Sequence, residues 1–352
     1  VNMINFVSLL SIALLLPLES TLAVPVVVNW PLYEKDASAD RPPAVEDIEN
    51  ELANAGGLSV EELRAYRLSR AAFDTNLDLP VVVNGKDSQE ELHPVLTAPS
   101  IVDINQHLLP YLMQGDIVVN KREVQRSIES RNKRGAPINS ATRWNKSSPI
   151  PYFFDSAFPS NATANVEKAM TILSSKSCIE FAKDPSASSG IRIFAGAGCY
   201  SSVGQQKYEK SQDLSLGRGC SSVRTAAHEL FHALGSYHEQ GRSDRDNYVT
   251  VDLSALDKNK AFNFEKIPAD NNNNYGVTYD YGSMMHYGAY DFSTNGKPVL
   301  VPKDAQFLNT MGQRQVVGFS DLKQLNAMYS CADECASPPK CENGGFPNSR
   351  DC

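Results

Sequence analysis

The sequence predicts an α+β fold for residues 144–331 of a 352-residue chain. Two stretches, "IPYFFD" and "GIRIFAG", are typical of strands, and the amphipathic stretch "NATANVEKAMTILSSKS" between them is typical of a helix. A last helix is predicted in "FSDLKQLNAMYSC", with Ser320 as its N-cap. Strands and helices do not alternate regularly along the chain, which favours α+β over a doubly wound sheet.

The first 134 residues differ in charge from the rest of the chain. They carry 12 Lys+Arg against 19 Asp+Glu, whereas residues 135–352 carry 21 against 22. Neither part predicts a basic surface, so no nucleic-acid partner is expected. Residues 1–23 contain one apolar run that ends at Thr21-Leu22-Ala23, which predicts a signal peptide. We therefore expect a secreted, extracellular protein without a membrane span.

A basic run, Arg131–Arg134, lies where charge and cysteine content both change, since all seven cysteines follow residue 170. Such a run is by itself usually a solvated patch. At this boundary it predicts cleavage between Arg134 and Gly135 by a protease of basic-site specificity. The cut would separate an irregular propeptide, residues 24–134, from the mature protein. Helical stretches are expected within the propeptide at "VEDIENELANA" and "SVEELRAYRLSRAAF".

The stretch "HELFHALGSYHEQ" has the spacing of a metal site. His228 and His232 are four residues apart and project from one face of a helix, and Gly235 can end that helix so that His238 approaches as a third ligand. Glu229 lies about 100° around the helix from His228, which suits a carboxylate that acts on water. HExxH alone is a weak signal and also occurs on exposed helices, but the full HExxHxxGxxH pattern favours a metal site.

Three neutral nitrogens leave tetrahedral zinc one open position, as in catalytic sites. The residues therefore predict one Zn²⁺ per subunit. The ion would activate a water molecule, and Glu229 would act as the general base in hydrolysis of a peptide bond.

These motifs resemble those of a known family. HExxHxxGxxH followed by a methionine turn, here "SMMHY" at Ser283–Tyr287, is the metzincin signature. Within the metzincins, "HELFHALGSYHEQGRSDRD" resembles the astacins, and the resemblance extends over residues 135–331. It implies a two-lobed catalytic domain with a twisted, mostly parallel sheet and an active-site helix. One departure is Ser236, where astacins usually have Phe, so a looser turn is expected there.

The resemblance also assigns roles to single residues. It implies that His228, His232 and His238 bind zinc and that Glu229 is the catalytic acid/base. Met285 would lie beneath the metal, although an ordinary core methionine would look the same. Tyr287 would donate to the oxyanion, with simple packing as the alternative.

Two carboxylates are implied to control latency. Asp116, in "YLMQGDIVV", would coordinate zinc in the zymogen only, although a Gly-Asp pair is by itself more often a turn. Glu239 would partner the N-terminus freed at Gly135, although a glutamate there could also be an exposed surface group.

The resemblance further proposes the disulfides Cys178–Cys331 and Cys199–Cys220. Asn145 and Asn161 begin N-x-[ST] sequons, which permit glycosylation. Residues 332–352 are cysteine-dense and resemble the start of an EGF-like module. The odd cysteine count suggests that the natural protein continues beyond Cys352.

These features predict a secreted zinc endopeptidase that is made as a zymogen and acts on extracellular proteins or peptides. A catalytically inactive secreted binding module on the same scaffold is the alternative. Such a module would be expected to lack Glu229, a histidine ligand or Tyr287, and all of these are present. A zinc hydrolase acting on other bonds fits the long cleft of the family less well.

Overall fold

The computed structural model describes residues 44–71, 99–121, 124 and 143–352, except for 188, 207–209, 268, 270 and 271. These residues belong to one compact unit, Pro43–Cys352. The predicted signal peptide and the predicted cleavage site at Arg134/Gly135 lie outside the described residues. No helix in the described ranges is long and apolar enough to cross a membrane.

The α-helices and strands described fall into an N-terminal segment, residues 44–124, and a main domain, residues 143–331. The helices are α1 Val45–Ala55, α2 Val60–Ala71, α3 Ile101–Ile104, α4 Ser160–Ser175, α5 Val223–Leu234 and α6 Phe319–Met328. The strands are β1 Leu112–Met113, β2 Ile117–Val118, β3 Ile150–Phe154, β4 Phe181–Lys183, β5 Gly190–Phe194, β6 Cys199–Ser201, β7 Ser211–Leu216, β8 Val249–Val251 and β9 Leu300–Pro302.

Seven of these strands form one sheet in the order β1-β2-β6-β7-β5-β3-β4. Strands β3, β4, β5 and β7 pair in parallel, and β6 runs antiparallel to β7. The β1–β2 hairpin of the N-terminal segment pairs with β6, where Ile117 lies opposite Ser201 in a parallel register. The predicted α+β fold with a mostly parallel sheet is therefore confirmed, and the antiparallel edge of the main domain is covered by the N-terminal segment.

The main domain has two hydrophobic cores. Helices α4 and α5 bury apolar faces against the large sheet, with Val166, Leu173 and Leu230 fully buried. A second core surrounds the antiparallel pair β8–β9 and includes Phe264, Tyr287 and Leu300.

The start of α6 corrects one expectation. The N-cap is Gly318, not Ser320, and the helix begins at Phe319. The Asp321 carboxylate accepts the backbone N–H of Gly318 at 2.8 Å, so the N3 carboxylate determines where the helix begins. Ser320 lies inside the first turn.

The described part of the N-terminal segment has a core of its own. The two helical stretches predicted from the sequence are α1 and α2, and they pack with the β1–β2 hairpin around Leu52, Leu63 and Leu112. Tyr200 of β6 belongs to the same cluster, so this core is completed by the main domain.

Both proposed disulfides are present in the structure. Cys178–Cys331 joins the chain after α4 to the chain after α6, and Cys199–Cys220 ties β6 to the loop before α5. A third bridge joins Cys335 to Cys352, and Cys341 is exposed and free.

We expect the double variant Cys178→Ser/Cys331→Ser to lower the free energy of unfolding by about 2–5 kcal/mol, because the bridge closes a long loop and restricts the unfolded chain. Denaturant unfolding measures the change. Cys341→Ser is the matched control and should leave the midpoint unchanged. Equal stability of the double variant and the control would contradict a stabilising role for the bridge.

Candidate active site

Helix α5 carries the first two histidines of the motif. The Ser222 hydroxyl accepts the N–H of Thr225 at 3.1 Å and caps the start of the helix. Gly235 ends it with φ +112°, a left-handed conformation that favours glycine, and its N–H bonds the carbonyl of His232. The chain turns back directly after this residue and brings His238 beside His228 and His232.

The three histidines converge on one carboxylate of the N-terminal segment. The Nε2 atom of His228 lies 3.1 Å from Asp116 Oδ2, and the Nε2 atoms of His232 and His238 lie 3.5 and 3.2 Å from Asp116 Oδ1. One ligand atom from each of the four residues lies within 4.8 Å of the others, and all four side chains are buried. The sequence motif and Gly115-Asp116 are thus brought together, although the chain separation between Asp116 and His228 is 112 residues.

The outer nitrogens of the imidazoles fix their orientation. Nδ1 of His228 faces the Met284 carbonyl at 2.9 Å, and Nδ1 of His232 faces the Ser236 carbonyl at 2.7 Å. A carbonyl only accepts, so these Nδ1 atoms carry the proton and the Nε2 atoms keep a free lone pair. The backbone carbonyl of Ser236 therefore orients His232, although the Ser236 side chain departs from the family pattern.

This arrangement fits a metal ion. Two Nε2 atoms, those of His228 and His238, face each other at 3.3 Å, and His232 Nε2 and Asp116 Oδ1 are buried without a hydrogen-bond partner among the described residues. Acceptor atoms that converge without a proton between them can be satisfied by a cation. Three nitrogens and one oxygen form a ligand set that Zn²⁺ accepts. The residues that would hold the metal are His228, His232, His238 and Asp116.

Burial favours the neutral imidazole at His228 and His238, which is the form that binds metals. Burial lowers the pKa of His228 well below its usual value, and the charge of Arg314 adds to this effect. Burial also lowers the pKa of His238 to about 4, although the nearby Asp116 carboxylate opposes the shift.

Glu229 is fully buried beside this cluster. Neither carboxylate oxygen has a hydrogen-bond partner in the described part of the chain. Burial, followed by the charge of Asp116, raises the pKa of Glu229 well above its usual value. In these surroundings the protonated form of the carboxyl group is favoured.

The methionine turn contacts the histidine cluster through its backbone. Met285 is buried in the first core, and its carbonyl accepts the N–H of Glu239 at 2.9 Å. Asp321 holds the turn, because its carboxylate accepts the Ser283 hydroxyl at 2.5 Å and the Met284 N–H at 3.1 Å. The Met284 carbonyl in turn orients His228, so Asp321 positions a metal-binding side chain through Met284.

Tyr287 is fully buried, and its ring centroid lies 4.9 Å from that of His238. Its hydroxyl donates to the carbonyl of Gln114 in the N-terminal segment. The Gln114 side-chain oxygen faces Nδ1 of His238 at 3.1 Å. The residue before Gly115-Asp116 thus engages both Tyr287 and the third histidine.

Glu239 is buried in the turn that follows α5. One carboxylate oxygen accepts from Arg242 at 2.9 Å and from the N–H of Asp280 at 2.8 Å. Burial raises the pKa of Glu239 to about 7 in spite of the Arg242 charge. A small cavity next to it is also lined by Ser283 and Asp321. Glu239 is therefore not the exposed surface group that was the alternative.

Three residues at the site were missed by sequence reasoning. Asn105 binds both backbone groups of Cys199 and the Gly115 carbonyl, and Gln114 binds His238, but a single amide in a polar segment gives no sequence signal. Arg314 follows Gly312 and Gln313 in the chain. Its two terminal nitrogens are buried without a partner among the described residues, and its charge acts on His228 and Tyr287.

The two predicted glycosylation sites are accessible. Asn145 lies in an exposed turn, where its side chain accepts the N–H of Ser147 at 3.0 Å, and Asn161 is exposed in the first turn of α4. Their glycosylation stays a prediction.

The helix-borne histidine pair, the third histidine and the methionine turn define a metzincin-type metal site. The sequence model of the astacin peptidase family matches residues 137–330, and the chain belongs to this family. It is 37% identical over 257 residues to zinc metalloproteinase nas-28 of Caenorhabditis elegans, a match that covers 71% of this chain and 52% of that protein.

Other relatives agree with this assignment. Zinc metalloproteinase nas-32 of Caenorhabditis elegans is 41% identical over 263 residues, which cover 72% of this chain and 39% of that protein. Among solved structures, high choriolytic enzyme 1, a hatching-enzyme zinc protease of Oryzias latipes, matches with 35% identity and a TM-score of 0.51, covering 55% of this chain and 96% of that chain. The chain spans about half the length of the curated relatives that it matches.

We expect Asp321→Ala to lower the free energy of unfolding by about 3 kcal/mol, because the Ser283 hydroxyl and two backbone N–H groups lose their acceptor inside the protein. Denaturant unfolding checks this value. Asp333→Ala, at an exposed position, is the control and should be neutral. A neutral Asp321→Ala would show that the methionine turn does not depend on this carboxylate.

Proposed function

We propose that this chain is a secreted zinc endopeptidase, made as a zymogen, that hydrolyses peptide bonds of extracellular proteins. The observation that carries the proposal is the convergence of three histidine Nε2 atoms on one buried point next to the unpartnered carboxylate of Glu229. Membership in the astacin family and relatives named zinc metalloproteinases support it.

His228, His232 and His238 hold one Zn²⁺ per chain in this proposal. The ion, when bound, acts as a Lewis acid on the scissile carbonyl and on the attacking water. Glu229 takes the proton from that water and delivers it to the leaving amine. Met285 contributes an apolar floor under the histidines.

Tyr287 supplies the remaining donor. Its hydroxyl donates to the Gln114 carbonyl while the N-terminal segment is in place. Removal of that segment frees the hydroxyl to donate to the oxyanion of the tetrahedral intermediate. An extended substrate would then pair with the edge of β6, which the segment's β2 strand occupies in the structure.

Latency follows from the same contacts. In this proposal the N-terminal segment belongs to the propeptide, residues 24–134, and Asp116 is the fourth metal ligand in the zymogen. Its carboxylate lies between the three imidazoles, where an attacking water would have to stand. Cleavage between Arg134 and Gly135 by a protease of basic-site specificity removes this ligand.

Glu239 completes activation in this scheme. Gly135 precedes Trp144 by nine residues, and the Trp144 indole is anchored to the Ala233 carbonyl at 2.9 Å. In this scheme the freed ammonium group of Gly135 would enter the cavity beside Glu239, and the carboxylate, already paired with Arg242, would gain a second cationic partner. Residues 332–352, with the Cys335–Cys352 bridge, begin an EGF-like module.

Glu229→Gln should lower kcat/KM on a peptide library by about 10²–10⁴-fold, because the variant cannot accept the proton of the attacking water. The assay uses protein cleaved after Arg134. Metal content by mass spectrometry should stay at one zinc per chain, and a zinc chelator should abolish wild-type activity. Glu167→Gln, a half-exposed glutamate of α4, is the control. Equal cleavage by wild type and Glu229→Gln would refute the mechanism.

Asp116→Ala should raise the activity of the uncut protein by about tenfold or more, because a buried charged partner of three imidazoles is lost. The comparison uses full-length chains with Arg134→Ala, so that processing does not contribute. Asp47→Ala, an exposed aspartate of α1, is the control and should stay latent. Full latency of Asp116→Ala would contradict the role of Asp116 as the inhibitory ligand.

A further inference from the structure

A second carboxylate of the N-terminal segment occupies a pocket on the main domain. Glu51, from α1, accepts the backbone N–H of Ala197 at 2.8 Å with its Oε1 atom. The same oxygen accepts the hydroxyl of Tyr200. We call the group formed by Gly196, the Ala197 amide and the Tyr200 hydroxyl the carboxylate pocket.

The main domain supplies all parts of this pocket. A Cβ atom on Gly196 would lie 2.6 Å from Glu51 Oε1 and 2.7 Å from both Phe194 Cε2 and Ser215 Oγ, so a side chain at this position would have to displace its neighbours. Tyr200 is fully buried, and its ring packs edge-on against Phe194 with centroids 6.2 Å apart. Burial raises the pKa of Tyr200 well above its usual value, so the hydroxyl stays protonated and can donate. Two donors that converge on one carboxylate oxygen suit an anion.

The pocket adjoins the proposed substrate cleft. Tyr200 and Ser201 are neighbours in β6, and Ser201 pairs with Ile117, the residue after Asp116. A polypeptide chain that lies along β6 therefore passes beside the pocket. The N-terminal segment shows that one chain can fill both places, since Asp116 lies at the histidines while Glu51 lies in the pocket.

We propose that the carboxylate pocket is an exosite, filled by Glu51 in the zymogen and by a glutamate or aspartate side chain of the protein substrate in the mature enzyme. The proposal rests on the peptidase function proposed above. Departure of the N-terminal segment uncovers the Ala197 N–H and the Tyr200 hydroxyl next to the strand that binds substrate. The exosite would favour substrates that carry an acidic side chain outside the residues bound in the cleft.

The direct test is binding of fluorescein-labelled poly-L-glutamate, measured by anisotropy, to protein cleaved after Arg134 and freed of the N-terminal segment. Tyr200→Phe keeps the ring and loses the donor, which should weaken binding by about tenfold, the value of one hydrogen bond to a charged group. Tyr152→Phe is the matched control, because the Tyr152 hydroxyl also faces a glutamate, Glu167, but lies in β3, which β5 and β7 separate from β6. It should bind like the wild type.

A cleavage assay gives a second readout. For Tyr200→Phe, the ratio of kcat/KM on unfolded casein to kcat/KM on a short peptide that fills only the cleft should fall by about tenfold. Equal losses on both substrates would indicate a structural role for Tyr200 and overturn the proposal. Unchanged poly-L-glutamate binding in Tyr200→Phe would also overturn the proposal. It would show that the carboxylate pocket serves only to bind Glu51. Failure of the wild type to cleave any peptide would refute the peptidase function, while the binding result would still decide the exosite.

Discussion

The structure depends on the placement of three imidazole Nε2 atoms around one buried point. Such an arrangement is unfavourable on its own, because two of these acceptors face each other at 3.3 Å away from water. It persists because the outer nitrogens are held by carbonyls of Met284 and Ser236. Those carbonyls belong to turns that Gly235 and Asp321 shape. The end of α5, the methionine turn and the start of α6 therefore all contribute to the placement of the three Nε2 atoms.

The N-terminal segment satisfies the groups that this geometry leaves open. Asp116 faces the three imidazoles, and Gln114 takes the remaining hydrogen bonds of His238 and Tyr287. Asn105 binds both backbone groups of Cys199, and β2 pairs with the next residues of β6. An unpaired strand edge attracts another strand, so the surface that would receive a substrate is covered by the chain itself.

Two glutamates of one motif have opposite surroundings, and this separates their roles. Glu229 has no hydrogen-bond partner among the described residues, whereas Glu239 is bound by Arg242 and by the N–H of Asp280. Both carboxyls are buried, and burial raises both pKa values. A buried acid without partners is free to exchange a proton with a bound molecule, while a partnered one holds a fixed place in the structure.

The sequence by itself determined what is local. The spacing of His228, His232 and Gly235 predicted a helix that ends at Gly235, so that the following chain can bring His238 back to the other two histidines. The stretches of α1, α2, α4, β3 and β5 could be predicted because their local sequence pattern determines them. The prediction of Ser320 as the N-cap of α6 was wrong, because Asp321 binds both the Gly318 N–H and the Ser283 hydroxyl of the methionine turn, a contact that local pattern does not show. Only the tertiary structure decided that Gln114 meets Tyr287, that Asn105 meets Cys199 and that Glu51 enters the carboxylate pocket. These contacts join residues from 94 to 173 positions apart, and no periodicity or spacing in the chain encodes which polar side chains will meet once the cores have packed.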